Sequence, residues 1–235
     1  MKILIAGKGQ MGRKIKATAE AQGLDVVGMV DALDLSVLDT LPEANIVIDF
    51  SHPANLSWVA DYVLEHECPL VYGTTGISSA QLRELRALSD RVPVFYSANY
   101  SYGVAVLLKL LRTAVPLLKD SFDMELVETH HRKKQDAPSG TAKAILQILN
   151  EDQSFSEVFG REGFIGPRGR EIGVHALRGG TEAGEHSVHF FGDDESITIT
   201  HHATDRQIFA SGALRAADFV FCQSPGFYTM DDLIG

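Results

Sequence analysis

The sequence contains little cysteine, little positive charge and no long apolar run, and each shortage excludes a class of protein. Cys68 and Cys222 are the only cysteines, which leaves no disulfide framework and no zinc-ligand spacing. Lys and Arg number 21 against 31 Asp and Glu, so the net charge of -10 disfavours nucleic acid and anionic membranes as partners. No apolar stretch approaches the ~20 residues that a transmembrane helix requires. The N-terminus also lacks the apolar segment of a signal peptide, and we expect a cytoplasmic protein.

Short apolar runs alternate with helical patterns from the N-terminus to residue 101. This alternation predicts βαβ units and a doubly wound parallel sheet with helices on both faces. From residue 102 to residue 206 a long apolar helix, expected at about 102–118, is followed by an alternating strand, a short helix and three more strands. That order predicts a second, α+β domain with a mixed or antiparallel sheet. Residues 207–235 are expected to return to the first domain as a helix and a tail.

A glycine loop follows the first apolar run and opens the first helix. Glycines at this point permit a tight turn and a close approach of the backbone to a pyrophosphate, and the helix N-terminus attracts its charge. Asp31 ends the second run and can bind the ribose hydroxyls of an adenosine. A glycine turn in some other α/β fold is the alternative. We interpret the first domain as Rossmann-like, with the loop residues Gly7, Lys8, Gly9, Gln10, Met11 and Gly12 binding a dinucleotide.

Two polar segments follow the fourth and fifth apolar runs. The carboxyl ends of parallel strands are where open α/β sheets bind ligands, although each segment alone could be an ordinary polar turn. Hydroxyl and amide side chains there can bind a nicotinamide or its ribose, and Tyr100 can stack on a ring. We predict that the cofactor is lined by Gly73, Thr74, Thr75, Ser97, Ala98, Asn99 and Tyr100.

The stretch ETHHRKKQDAPSGTA, residues 128–142, concentrates histidines and cations in an acidic chain. An extended chain would place His130, Arg132 and Lys134 on one face and His131 with Lys133 on the other. Histidine titrates near neutrality and suits proton transfer, while a lysine can bind a carboxylate or serve as the acid. Adjacent histidines among cations make poor metal ligands, so we expect no metal site.

The turn that follows this stretch is typical of a helix start that binds an anion. Ser139 is interpreted as the helix cap rather than a nucleophile, because no Gly-x-Ser-x-Gly elbow surrounds it. Gly140 and Thr141 can offer backbone and hydroxyl donors to a carboxylate. Together with Lys134, they predict a site for a small dianion.

These segments, with RGGTEAGEHSV and HHATDRQIFASGALRAA, resemble the dihydrodipicolinate reductase family of diaminopimelate and lysine biosynthesis, in family order along the whole chain. The resemblance implies reduction of 4-hydroxy-tetrahydrodipicolinate to tetrahydrodipicolinate by NADH or NADPH. It makes His130 a proton donor or acceptor and Lys134 a proton donor. It implies a dinucleotide-binding domain at 1–101, a substrate-binding and oligomerisation domain at 102–206, and a homotetramer. It also assigns substrate binding to the set His131, Ser139, Gly140 and Thr141.

The sequence departs from the family pattern near the expected adenosine. Gln10 and Ala32 stand where arginine is common, and the segment from Asp31 to Asn45 is short. We therefore expect NADH to be used at least as well as NADPH. Two alternatives remain open at this point: another two-domain dehydrogenase acting on an amino or dicarboxylic acid, and a non-catalytic dinucleotide sensor.

Overall fold

The computed structural model describes residues 1–235, which form eleven strands and seven α-helices. The strands are β1 Lys2–Ala6, β2 Asp25–Val30, β3 Ile46–Asp49, β4 Leu70–Tyr72, β5 Pro93–Tyr96, β6 Asp123–His130, β7 Ser156–Phe159, β8 Glu171–Arg178, β9 Gly184–Phe191, β10 Ser196–Ala203 and β11 Gly226–Tyr228. The α-helices are α1 Gln10–Ala21, α2 Leu56–Glu65, α3 Ser79–Leu88, α4 Tyr102–Leu118, α5 Gly140–Leu149, α6 Gln207–Phe221 and α7 Met230–Ile234. No helix combines the length and the apolar character needed to cross a membrane.

The chain divides into two compact units, each described by itself below. Unit 1 comprises residues 1–102 and 207–235, and unit 2 comprises residues 103–206.

Unit 1 is built on a six-stranded sheet in the order β11-β5-β4-β3-β1-β2, and all of its strand pairs are parallel. Strands β3 and β4 are buried along their whole length, which explains why they are continuous apolar runs rather than alternating ones. The predicted doubly wound sheet is confirmed.

Helix α6 packs against α1 and against strands β3 to β5 of unit 1. Position 212 of this helix requires glycine, because a Cβ there would lie 1.6 Å from the carbonyl oxygen of Tyr100. The last residues are not the simple tail that the sequence indicated. They form β11, which pairs with β5 through Phe227 and Val94, and the capped helix α7. A three-residue strand is too short to show a period in the sequence.

Unit 2 contains a five-stranded sheet in the order β10-β9-β6-β8-β7. Strand β6 is antiparallel to β9 and parallel to β8, so the sheet is mixed, as predicted. The edge strand β7 was missed, because its four residues are mostly exposed and carry no apolar pattern. Helices α4 and α5 cover one face of the sheet, and their apolar residues form one buried core with those of β6, β8 and β9.

The alternation of β6 places two polar side chains in the interior. Met124 and Leu126 face the core, and the same period of two carries Glu128 and His130 to the buried face. Buried polar groups are costly unless they are hydrogen-bonded. The carboxyl-terminal end of β6 is therefore where unit 2 concentrates its polar chemistry.

Candidate active site

The glycine loop of unit 1 has the backbone that the sequence predicted. Gly7 adopts φ +104°, and a Cβ there would lie 2.8 Å from the carbonyl oxygen of Phe50. A Cβ at Gly12 would lie 2.0 Å from the carbonyl oxygen of Gly7, so helix α1 can pack this closely only without a side chain. Gly9 precedes the first residue of α1, and a Cβ there would meet nothing within 4 Å. The loop thus leaves open space where a pyrophosphate would meet the helix N-terminus.

Asp31 lies directly after β2, beside a second carboxylate that sequence reasoning missed. Its Oδ1 accepts hydrogen bonds from the Ala32 amide at 2.8 Å and from Asn55 Nδ2 at 3.4 Å. Asp34 accepts from the Asp31 amide and forms an ion pair with Lys8. The hydrogen bond from Lys8 holds the pKa of Asp34 below its usual range. The positive charge of Lys8 therefore already has a protein partner.

Most of the predicted cofactor residues that follow β4 and β5 line one cavity of about 300 Å³ in unit 1, together with Met11 from the start of α1. Ser97 and the other predicted loop residues lie outside its wall. Sequence reasoning missed three residues of its wall: Phe50, Ser51 and Phe209. Their apolar or small side chains carried no recognisable signal. The predicted residues that line the cavity are Met11, Gly73, Thr74, Thr75, Ala98, Asn99 and Tyr100.

A buried carboxylate, Asp49, organises one wall of this cavity. Its Oδ1 accepts hydrogen bonds from the Ser51 hydroxyl at 2.6 Å and from the Thr74 hydroxyl at 2.7 Å. Burial raises the pKa of Asp49 to about 6, although these two hydrogen bonds act to lower it. The hydroxyl of Thr74 therefore points at Asp49, and its role at the cavity is to fix the wall.

Tyr100 forms a rigid part of the cavity wall rather than an exposed stacking platform. Its ring is 1% exposed and packs on Phe50, with 5.0 Å between the ring centroids. Its hydroxyl donates to the carbonyl oxygen of Tyr72 at 2.9 Å. Nearby, Ser97 and Asn99 hold their own turn, with the Ser97 hydroxyl donating to the Asn99 carbonyl at 2.7 Å. These contacts define the shape of the cavity.

In unit 2, the expected extended alternation of residues 130 to 134 is wrong. Strand β6 ends at His130, and the chain then turns, with the Lys134 amide donating to the His131 carbonyl at 3.0 Å. Arg132 and Lys133 are exposed in that turn, while Lys134 is half-buried. The turn begins earlier than the sequence indicated, because the His131 amide donates to the Glu182 carbonyl instead of continuing the ladder.

His130 belongs to a buried ionic network that sequence reasoning did not identify. Its Nδ1 is hydrogen-bonded to Glu128, whose carboxylate also accepts from both Nη atoms of Arg178, at 2.7 and 3.0 Å. Burial lowers the pKa of His130, and Glu128 opposes that effect. Burial alone would raise the pKa of Glu128, but the hydrogen bonds from Arg178 and His130 lower it. Glu128 is therefore ionised beside the imidazole.

Ser139 is confirmed as the cap of α5, since its Oγ accepts from the Ala142 amide at 3.1 Å. The same oxygen is 2.9 Å from Nε2 of His186, and the Ser139 amide donates to Glu128 at 3.1 Å. Burial lowers the pKa of His186 to about 4, so this imidazole is neutral near pH 7. Each of these polar groups of Ser139 thus has a protein partner, and Ser139 links the helix start to the Glu128 network.

The remaining predicted substrate residues lie around the same strand end. Gly140 and Thr141 begin α5, and a Cβ at Gly140 would meet nothing within 4 Å, which leaves its backbone accessible. Lys134 Nζ donates to Asp136 at 2.8 Å and holds the pKa of that carboxyl below its usual range. His131 Nε2 lies 2.8 Å from Arg206 and must be the acceptor, because a guanidinium only donates.

Glu128, His130 and His186 can also present one ligand atom each within 4.8 Å of one another. Sequence reasoning did not foresee this cluster. Arg178 and the Ser139 amide already occupy the Glu128 oxygens, and a guanidinium at that distance repels a cation. The donor set therefore fits a proton-transfer network better than a resident metal ion.

The fold and these residues define a class: α/β oxidoreductases that pair a nicotinamide-dinucleotide unit with a separate mixed-sheet unit. Residues 1–100 match the family model described as dihydrodipicolinate reductase, N-terminus, and residues 103–234 match dihydrodipicolinate reductase, C-terminus. The chain belongs to the dihydrodipicolinate reductase family.

Individual relatives agree with this assignment. The 4-hydroxy-tetrahydrodipicolinate reductase of Staphylococcus epidermidis is 43% identical over 243 residues, which cover 99% of this chain and 100% of the relative. A dipicolinate-bound dihydrodipicolinate reductase from Paenisporosarcina sp. TG-14 superposes with a TM-score of 0.80 at 22% identity, covering 97% of both chains. A probable dehydrogenase from Thermotoga maritima shares the fold at a TM-score of 0.61 and 10% identity, over 99% of this chain and 92% of that chain. The fold alone is therefore shared beyond the family.

Proposed function

We propose that the chain reduces 4-hydroxy-tetrahydrodipicolinate to tetrahydrodipicolinate with a reduced nicotinamide dinucleotide. The observation that carries the proposal is the cluster at the end of β6, where a histidine on an ionised glutamate, a lysine and a helix N-terminus lie together. Such a cluster supplies a proton donor and two positions for carboxylates. Family membership and the 43% identical relative support the same activity.

The residues of unit 1 fit the cofactor. The space at Gly9 and the close packing at Gly12 suit a pyrophosphate at the N-terminus of α1. Asp31 would hold the adenosine ribose, and the cavity lined by Thr75, Ala98 and Asn99 would hold the nicotinamide end. When bound, the reduced nicotinamide supplies the hydride.

The residues of unit 2 would bind the substrate and supply the proton that accompanies the hydride, and the 4-hydroxyl group of the substrate leaves as water. Lys134 would exchange the exposed carboxylate of Asp136 for one carboxylate of the substrate, while Gly140 and Thr141 donate hydrogen bonds to the other. His130 and Lys134 are the groups placed to deliver the proton. The fold relative's bound dipicolinate, a cyclic dicarboxylate, supports a substrate of that shape.

A steady-state substrate panel tests the activity and separates the alternatives. Oxidation of NADH should occur with freshly generated 4-hydroxy-tetrahydrodipicolinate and not with acyclic amino acids or simple dicarboxylates. Turnover with an amino or keto acid instead would favour another two-domain dehydrogenase. Binding of NADH without turnover of any of these compounds would favour a dinucleotide sensor.

Thr141→Val should raise the Michaelis constant for the substrate more than it lowers kcat, because the hydroxyl binds the ground state and the transition state alike. Thr113→Val, on the exposed face of α4, is the matched control and should change neither constant. Steady-state kinetics at saturating NADH measure both. Weaker NADH binding with an unchanged Michaelis constant would place Thr141 outside the substrate site.

The proposal also holds that NADH is used at least as well as NADPH. Asp31 would accept from both ribose hydroxyls and would repel a 2′-phosphate, and Ala32 offers no compensating cation. Lys8, the nearest cation in the loop, is paired with Asp34, and Arg13 Nε lies 3.4 Å from the Gly9 carbonyl.

Ala32→Arg should shift the preference toward NADPH by a charge-assisted contact worth on the order of 1–3 kcal/mol. The ratio of kcat/KM for the two cofactors measures the shift. Leu33→Arg adds the same charge at the next position, which is fully exposed, and should shift the ratio less. A wild-type preference for NADPH of about tenfold or more would contradict this account of Asp31.

A homotetramer assembled through unit 2 is also part of the proposal. Its sheet exposes large apolar side chains, among them Leu177, Phe191 and Ile197, which are 53%, 45% and 40% exposed. Leu177 and Phe191 lie on the sheet face that the helices leave open, and exposed apolar side chains on such a face support an association surface there.

A further inference from the structure

The carboxylate of Glu128 is completely buried and has a hydrogen-bond donor at each of its four acceptor positions. Oε1 accepts from the Ser139 amide at 3.1 Å and from Arg178 Nη2 at 2.7 Å. Oε2 accepts from Arg178 Nη1 at 3.0 Å and is hydrogen-bonded to His130 Nδ1. A buried carboxylate held by so many donors stays ionised and cannot change its orientation. The only titrating group among its partners is His130.

We propose that Glu128, locked by Arg178, is the positioning residue of the reaction: it fixes His130 as the Nδ1–H tautomer and leaves Nε2 as the atom that carries the transferred proton. This inference rests on the proposed function for its chemistry. An ionised carboxylate can only accept, so Nδ1 of His130 must be the donor. In the neutral imidazole Nε2 is then the basic atom.

The surroundings of His130 Nε2 fit an atom that a substrate must be able to reach. A Cβ at Gly184 would lie only 3.0 Å from Nε2, and Gly184 has φ +153°, a conformation that other residues avoid. A side chain at this position would cover the proton-carrying atom. Glycine at position 184 therefore keeps that face of His130 free of a side chain.

Four charged or titratable groups face the His130 imidazole, and they act in different directions. Lys134 and Arg178 disfavour the imidazolium, while Glu128 favours it. His186 stands nearly perpendicular, with 5.2 Å between ring centroids, and is neutral near pH 7 because burial lowers its pKa to about 4. Glu128 is thus the only anion among the four, and removing its charge leaves the imidazolium with no counter-ion.

Glu128→Gln is the variant that tests the positioning role, because it keeps the shape and removes the charge. We expect kcat to fall by about 10²–10⁴-fold, the range for loss of positioned acid–base chemistry or of the correct tautomer. Because the acid must be protonated to act, activity falls as pH rises through the pKa of His130. The midpoint of that fall should move to lower pH in Glu128→Gln, while the Michaelis constant for NADH stays unchanged.

Glu125→Gln is a matched control on the opposite face of the same strand. Glu125 also binds an arginine through two hydrogen bonds, from Arg161, and a histidine, His175. Its loss should leave the pH profile of kcat/KM unchanged. A low kcat with an unmoved pH midpoint in Glu128→Gln, or an equal shift in Glu125→Gln, would overturn the proposal.

The wild-type protein provides a measurement that does not depend on any variant folding. Histidine-selective ¹⁵N NMR reports the tautomer of each ring, and the His130 signals are those missing from the His130→Asn spectrum. We expect the Nδ1–H form for His130 above its pKa. An Nε2–H form would overturn the proposal, whatever the kinetics show. If the wild type instead fails to reduce the substrate, the proposed function fails, and the tautomer still decides the role of Glu128.

Discussion

Alanine at His130 or at Lys134 is expected to lower kcat by about 10²–10⁴-fold, the usual contribution of a positioned acid–base group. His130 is 9% exposed and its imidazole is fixed by the hydrogen bond to Glu128, so alanine removes a group that is held in one position. Lys134 is half-buried in the turn after β6 and combines a proton donor with a charge for a substrate carboxylate. Steady-state kinetics measure the loss, and fluorescence titration should show little change in NADH affinity, because both residues belong to unit 2.

Lys133→Ala is the control for this expectation. Lys133 has the same charge as its neighbour but is exposed in the turn, so its removal should leave kcat within about twofold. Wild-type turnover in both His130→Ala and Lys134→Ala would remove the proton-transfer role from this segment. Equal losses in all three variants would indicate a general electrostatic effect rather than positioned groups.

Substitutions in the glycine loop should give the second large effect, and two of its glycines should respond differently: one change lowers stability and the other weakens NADH binding. Gly12→Ala is expected to destabilise unit 1 by about 1–3 kcal/mol or more, since its Cβ would overlap the Gly7 carbonyl at 2.0 Å. Gly9→Ala should leave the unfolding transition unchanged, because a Cβ there meets nothing within 4 Å. It should nevertheless weaken NADH binding by about tenfold or more, because the methyl group would occupy the space for the pyrophosphate.

Thermal unfolding and NADH titration of the two variants separate these expectations. Gly169→Ala, in unit 2, is a control with equally open space and should change neither quantity. Full NADH affinity in Gly9→Ala would show that the dinucleotide does not approach this turn. An unchanged melting temperature in Gly12→Ala would show that helix α1 can move away from β1 at no cost.

Elements with a strong sequence period were predictable, and those without one were not. Helix α4 was expected at 102–118 and is observed as Tyr102–Leu118, because its apolar residues follow a helical period without interruption. Strands β7 and β11 have four and three residues, too few to show a period, and both were missed. The turn after His130 was also missed, because it depends on a hydrogen bond to Glu182, a residue distant in sequence.

The site shows the same division between local and distant contacts. The glycine loop and the cap Ser139 could be predicted because each needs only its neighbours in sequence. The Glu128–Arg178 pair joins residues 50 positions apart, and nothing local marks Arg178 as the partner. Glu128 itself did carry a signal. It is a charged residue at a core-facing position of an alternating strand, where a carboxylate needs a partner.

Transfer of deuterium from NADH that carries deuterium at both C4 positions is the most direct test of the central claim. The wild-type protein, freshly generated 4-hydroxy-tetrahydrodipicolinate and the labelled cofactor are mixed, and the product is analysed by mass spectrometry. We expect tetrahydrodipicolinate that carries one deuterium from the cofactor, with formation strongly reduced in His130→Ala and Lys134→Ala. Product without the label, or cofactor oxidation without this product, would contradict the proposed reduction.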